Sequence, residues 1–251
     1  MPGLWPISQF LARCSGTISV VIDEELQFLE LSLPVTDVQK SLEWYRELGF
    51  MELNTSEVRQ YPYAVVGDGE FCIGLHGDQL NAPGITFVRP ELASYVRTCE
   101  QSGQEFDQVT LGIDDFHEAL QSDPDGLQAI LVEARSFSPG HDADHCVLTG
   151  KLASILLPCI NVDDSLAFWQ RFGFMAVESD DHEHAELHAP GMIIELHNGS
   201  RHLTLRFQPD DYDVAVATLN STHDLKMFRE NDLKGVELVA PEGTRIQLLQ
   251  Q

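Results

Sequence analysis

The segment SLEWYRELGFM at residues 41–51 has a counterpart in SLAFWQRFGFM at residues 165–175. Serine, leucine, glycine, phenylalanine and methionine recur at matching positions, and two adjacent aromatic residues stand in the middle of each segment. A sequence that returns in this way indicates a structural unit that has been duplicated along the chain.

The residues on either side of the repeated segment are also alike in the two halves. An apolar stretch that ends near a proline precedes each copy, at 28–35 and 152–159, and predicts a strand. The repeated segment itself has its apolar residues at helical spacing. Gly49 and Gly173 follow as the residues expected just beyond a helix C-terminus.

Each half continues with three predicted strands and then with a second strand and helix, at 84–103 and 202–223. Turn dipeptides precede a last strand in both halves. The chain is therefore predicted to be α+β, with four βαβββ modules paired into two domains of curved mixed sheets around a cleft. The predicted boundaries are an N-terminal extension at 1–25, a first domain at 26–135, a linker at 136–150 and a second domain at 151–251.

The amino-acid composition limits the classes of molecule that the protein is expected to bind. The chain has 251 residues and a formal net charge of −25, so nucleic acid and anionic membrane surfaces are not expected to bind it. Its 5 cysteines are odd in number and form no CxxC pair, which favours reduced thiols and a cytoplasmic location. No apolar run is long enough to span a membrane.

The order of these elements, with PVTD before the helix and DPDG before a last strand, resembles the vicinal oxygen chelate superfamily. That superfamily contains glyoxalase I, extradiol dioxygenases, fosfomycin-resistance enzymes and bleomycin-binding resistance proteins. The resemblance covers residues 26–135 and 151–251. It implies that two modules pair so that their sheets enclose a cleft, but a fold alone does not define an activity.

The resemblance also implies a divalent metal in the cleft of the metal-using members, held by residues of the first and last strands of the modules. These positions fall on Glu30, near Gly84 and on Ile130 in the first half, and on Ser154, Thr204 and Gln247 in the second. Neither set is a complete ligand set, because only Glu30 is a strong metal ligand. The superfamily's metal site is therefore predicted to be absent from both halves.

A polar hairpin in the second half offers another possible metal site. On a strand, His182, His184, Glu186 and His188 would share a face, and Glu195 and His197 would share a face of the next strand. His188, Glu195 and His197 could hold zinc, nickel, manganese or iron. A solvated hairpin, with His197 and the matching His76 as structural histidines at strand ends, explains the same residues.

Two hypotheses about function remain open. In the first, the protein binds a small cationic or amphipathic molecule without a cofactor, through Glu30, His76, Glu195 and His197. In the second, it is a metal-dependent lyase, isomerase or dioxygenase-like enzyme with Glu30 and Glu195 as catalytic groups, Glu30 as base if it faces the cleft. The sequence does not decide whether the protein is an enzyme, or whether it is a monomer or a homodimer.

Overall fold

The structure is a computed structural model that describes residues 26–56, 59–138, 147–177, 182–230 and 233–250. The predicted extension at 1–25 lies outside the described residues, and so does the middle of the predicted linker. None of the described helices has the length and apolar character that a membrane crossing requires.

The described residues of the first half form eight strands and two helices. In chain order they are β1 (Gln27–Val35), α1 (Val38–Glu47), β2 (Met51–Leu53), β3 (Tyr63–Gly67), β4 (Cys72–Gly77), β5 (Gly84–Val88), α2 (Leu92–Gln101), β6 (Gln108–Thr110), β7 (Glu118–Ser122) and β8 (Gln128–Val132).

The second half repeats this order. Its elements are β9 (Lys151–Leu157), α3 (Val162–Gln170), β10 (Met175–Ala176), β11 (His184–Ala189), β12 (Met192–His197), β13 (Thr204–Gln208), α4 (Tyr212–Leu219), β14 (Lys226–Glu230), β15 (Leu233–Val239) and β16 (Arg245–Leu249).

The two halves have the same sheet topology. The first sheet has the order β2-β3-β4-β1-β5-β8-β7-β6, and the second has the equivalent order β10-β11-β12-β9-β13-β16-β15-β14. Within each module the first and last strands pair in parallel, and the antiparallel pairs β1–β5 and β9–β13 join the two modules of a sheet. The predicted α+β class with four βαβββ modules is confirmed.

The repeated helix starts and stops through the same local chemistry in both copies. The Asp37 side chain accepts a hydrogen bond from a backbone N–H of the first turn of α1, and Asn161 does the same for α3. Beyond the helix ends, Gly49 and Gly173 have φ values of 97° and 83°. This left-handed conformation favours glycine and explains why the two glycines recur.

The helices and both sheets share one large apolar core. Rings of the two halves meet directly within it: Phe50 lies 6.0 Å from Phe207, and Phe87 lies 6.0 Å from Phe172, between ring centroids. The halves are therefore packed against each other through buried aromatic side chains.

Polar contacts between the halves are reciprocal. The turn before the last strand of the second half carries Glu242, which accepts hydrogen bonds from Ser41 Oγ at 3.0 Å and from Tyr45 Oη at 2.7 Å. Burial, and then the charge of Glu242, raise the pKa of the Tyr45 phenol, so Tyr45 remains a donor.

The matching turn of the first half makes the matching contacts. Asp125 Oδ2 accepts from Ser165 Oγ at 2.9 Å, and Asp123 Oδ2 accepts from Trp169 Nε1 at 3.2 Å. Ser165 and Trp169 are the counterparts of Ser41 and Tyr45 in the repeated segment. The serine and the aromatic of the repeat thus bind the turn of the opposite half.

Removing the Tyr45 hydroxyl tests this contact. We expect Tyr45→Phe to lower the free energy of unfolding by about 1.5–3 kcal/mol, because Glu242 loses a donor to a charged acceptor. The measurement is urea denaturation, with Tyr212→Phe as the control, since the Tyr212 hydroxyl has no hydrogen bond among the described residues. Equal stability of the two variants would contradict the proposed role of the contact.

Candidate functional site

A cavity of about 280 Å³ lies over the face of the first sheet that carries Glu30. We call this space the first cleft. It is lined mainly by polar side chains of the β2–β3 and β4–β5 loops and of strands β4, β6, β7 and β8; they include Arg59, Tyr61, His76, Asp107, Glu118 and Gln128.

A bulge in β1 turns Glu30 towards this cleft. The pairing of β1 with β5 shifts between Phe28 and Glu30, so that Glu30 lies opposite Thr86. Strict alternation places Glu30 on the same face as Phe28, but the extra residue of the bulge breaks that alternation. Phe28 instead packs against the shared core.

Glu30 is fully buried and receives three hydrogen bonds or close contacts. Ser32 Oγ donates to its carboxylate at 3.0 Å, Tyr63 Oη donates at 2.7 Å, and His76 Nε2 lies at 2.9 Å. A buried carboxylate needs partners of this kind because it has lost its hydration. Glu30 does not line the cavity itself, since His76 stands between the two.

His76 connects the buried carboxylate to the cavity. Its Nδ1 lies 3.0 Å from Tyr61 Oη. Burial raises the pKa of Tyr61 to about 12, so the phenol keeps its proton. In the His76 tautomer whose Nδ1 accepts this proton as a hydrogen bond, Nε2–H donates to Glu30. The chain Tyr61–His76–Glu30 has the connectivity of a reacting hydroxyl, a base and an orienting carboxylate.

In both domains a carboxylate lies beside an imidazole, but the carboxylate is on a different strand in each. The strand register matches Glu30 with Ser154, Gly74 with Glu195, and His76 with His197. A side chain at Gly74 would overlap the Glu30 carboxylate. The carboxylate thus comes from the first strand in one domain and from the neighbouring strand in the other.

Glu195 has a different set of partners in the second domain. Ser154 Oγ and Arg206 Nη1 donate to it, and His197 Nε2 lies 3.1 Å away. Burial raises the pKa of Glu195, but these hydrogen bonds and the Arg206 charge outweigh it and hold the pKa below the ordinary value. Glu195 is therefore ionised at neutral pH and is held within an ion-pair network.

The sheet register corrects two of the positions carried over from the superfamily. Thr86, not Gly84, lies between Glu30 and Ile130, and Arg206, not Thr204, lies between Ser154 and Gln247. The sequence-based positions are two residues too early, because counting along the chain does not give the register between neighbouring strands.

Neither corrected set fits a divalent metal. In the first domain an apolar Ile130 and a hydroxyl of Thr86 stand beside Glu30, and in the second a cationic Arg206 occupies the central position. Within the described ranges, no group of three or more His, Cys, Asp or Glu side chains is arranged to hold a metal ion.

The polar hairpin of the second domain is brought together only in part. His184 and His197 lie opposite each other, with ring centroids 4.7 Å apart, and Glu195 contacts His197. His188 lies opposite Ile193 and pairs with the exposed Glu186 instead of with Glu195. His182 is exposed, 3.8 Å from an aspartate of α3.

Several residues around Glu30 and Glu195 were not predicted from the sequence: Arg59, Tyr61, Tyr63, Arg206 and Glu230. A charged residue between Leu205 and Phe207 in an otherwise apolar strand was the one clear signal available for Arg206. The others lie on loops or on strands whose facing residues cannot be identified without the register.

An exchange of the two arrangements gives a direct test. Gly74→Glu should lower the free energy of unfolding by about 3 kcal/mol or more, because a second buried carboxylate meets Glu30. Adding Glu30→Ser to Gly74→Glu should restore at least half of that loss. The pair then has a serine on the first strand and one carboxylate on the neighbouring strand, as in the second domain. The measurement is a double-mutant cycle by urea denaturation. Additive losses of the two single variants would contradict the equivalence.

Comparisons with known proteins give the fold. No family model and no curated protein matches the sequence. Among solved structures, a variant of homoprotocatechuate 2,3-dioxygenase from B. fuscum aligns with a TM-score of 0.61 and 16% identity, over 90% of this chain and 71% of that one. The 2,3-dioxygenase LapB from Pseudomonas sp. KL28 aligns with a TM-score of 0.61 and 14% identity, over 90% and 92%. The chain therefore has the two-domain fold of these dioxygenases, and the likeness carries the fold alone.

Proposed function

We propose that the protein binds a small molecule in the first cleft, without a metal at the positions that hold one in metal-using members of the superfamily. The observation that carries this proposal is the polar cavity of about 280 Å³ with the buried chain Tyr61–His76–Glu30 at its base. Small-molecule sites of this kind combine a preformed cavity with a few convergent polar groups.

Two atoms of the cavity wall lack a hydrogen-bond partner among the described residues. Arg59 Nε is a buried donor and Gln128 Oε1 is a buried acceptor, and both residues line the cavity. Buried polar atoms are nearly always satisfied in folded proteins, so unpaired ones at a cavity favour a ligand that supplies the partner. Both atoms have almost no accessible surface, so we infer that the side chains rotate to meet a ligand that presents an acceptor to Arg59 and a donor to Gln128.

The charges around the cavity favour a ligand with a cationic or hydrogen-bond-donating part. Arg59 is paired with Glu118 at 2.5 Å, which leaves Asp107 as an additional acid in the cavity wall. The aromatic rings of Tyr61 and Phe116 lie under the Arg59 guanidinium, at 5.8 and 5.0 Å from their centroids, and help to fix it.

Catalysis in the same cleft is the second candidate function, and the fold likeness to dioxygenases favours it. Glu30 would act through His76, because His76 separates the carboxylate from the cavity. Tyr61, protonated at neutral pH, would give its proton to a bound molecule, and a proton from solvent, passed on by the His76 imidazole, would restore the phenol. Glu195, also predicted to be catalytic, is instead engaged by Arg206.

The first experiment measures metal and ligand together. We expect protein purified without chelator to contain far less than one zinc, nickel, manganese or iron per chain by elemental analysis. Thermal-shift screening with small cationic amphiphiles, and with homoprotocatechuate as the probe suggested by the structural neighbours, should then find compounds that stabilise the metal-free protein.

Variants of the cavity locate the binding. Gln128→Ala should weaken a compound found in the screen about tenfold by calorimetry, the cost of one hydrogen bond. Gln39→Ala, on the exposed face of α1, is the matched control and should leave the affinity unchanged. Equal affinity in both variants would place the site elsewhere, and one metal per chain with cleavage of homoprotocatechuate would favour the dioxygenase-like candidate.

A further inference from the structure

Arg206 is the most deeply buried cation among the described residues of the second domain. It has no exposed surface, and each of its nitrogens has a partner. Nε donates to Gln247 Oε1 at 3.0 Å, Nη1 donates to Glu195, and Nη2 donates to Glu230 Oε2 at 2.7 Å. A guanidinium fixed by two carboxylates and an amide is held in a defined orientation.

The residues around the guanidinium are of the types that bind metal ions. His197 lies between the same two carboxylates, with Nε2 at 3.1 Å from Glu195 and Nδ1 at 3.4 Å from Glu230. Carboxylate, imidazole and amide groups are ligands that zinc and nickel take, but as they lie here these side chains do not form a metal site. Arg206 occupies the space between them.

The first cleft shows what this position looks like without the arginine. Its counterpart there is Thr86, a buried residue whose hydroxyl lies 2.6 Å from Ser32 Oγ. Among the described residues, Glu30 then takes its hydrogen bonds from neutral hydroxyls and from His76. The two domains thus differ in whether a side chain supplies a cation at the centre of the sheet.

We propose that the Arg206 guanidinium takes the place of a divalent cation at the centre of the second sheet, between Glu195 and Glu230. The single positive charge of Arg206 is shared by the carboxylates of Glu195 and Glu230, and this network is a fixed structural centre. Truncation of Arg206 would leave both carboxylates without this counter-charge and would open a site for an added cation. The role of Arg206 does not depend on what the first cleft binds.

The test is rescue of Arg206→Ala by added cations. Removing one partner of a buried ion pair is strongly destabilising, and we expect Arg206→Ala to lower the melting temperature by roughly 6–20 °C. Guanidinium chloride far below denaturing concentrations, or Ni²⁺ or Zn²⁺, should restore at least half of the loss, compared with NaCl at equal ionic strength. Calorimetry should detect one Ni²⁺ site per chain that wild type lacks.

Matched variants make the result specific. Arg245→Ala removes a more exposed arginine that contacts Glu237, and it should show neither the large loss nor the rescue. Adding Glu195→Gln to Arg206→Ala should abolish the Ni²⁺ site. If Arg206→Ala is insoluble, its refolding from urea is compared with and without each cation. Failure of every cation to restore stability or refolding, or retention of the Ni²⁺ site without Glu195, would overturn the proposal.

Discussion

The central constraint on this protein is a carboxylate in the middle of each sheet, fully buried in the first domain and partly buried in the second. A carboxylate without water is costly unless donors or a counter-charge surround it. The first domain surrounds Glu30 with hydroxyls and His76, and the second surrounds Glu195 with a serine, His197 and Arg206. The groups around each carboxylate determine which ligands that face of the sheet can accept. A cavity lies beside the first arrangement, whereas in the second domain the Arg206 guanidinium lies at the centre of the sheet.

The two halves share the same elements and the same contacts with each other, while the residues on their cleft-facing sheet surfaces differ. The repeated segment supplies the serine and the aromatic residue that bind the turn of the opposite half, so each copy stabilises the other. Because each repeat binds the turn of the opposite half, its serine and aromatic residue are constrained by this contact. Residues on the cleft-facing surfaces of the sheets are not constrained in this way. Gly74 and Glu195 show the result: matching positions in the frame carry no side chain in one half and a carboxylate in the other.

Much of the fold and some of the site could be predicted from the sequence. The repeat, the helix-ending glycines and the turn dipeptides indicated four modules, since these features depend on local backbone chemistry. The matches of Gly74 with Glu195 and of His76 with His197 were also visible by counting along the repeat. The second-module positions were misplaced by two residues, because the register of β5 against β1 and of β13 against β9 cannot be counted from the sequence.

The number, type and order of the elements follow from the sequence, because helix ends, turns and apolar periodicity are properties of short segments. Which polar residues meet depends on how distant segments of the chain pair and pack. Tyr61 and His76 come to Glu30 from other parts of the first half, and Arg206 and Glu230 come together with Glu195 through the register of three strands. Contacts of this kind depend on distances between distant segments of the chain, which pairing and sheet curvature set.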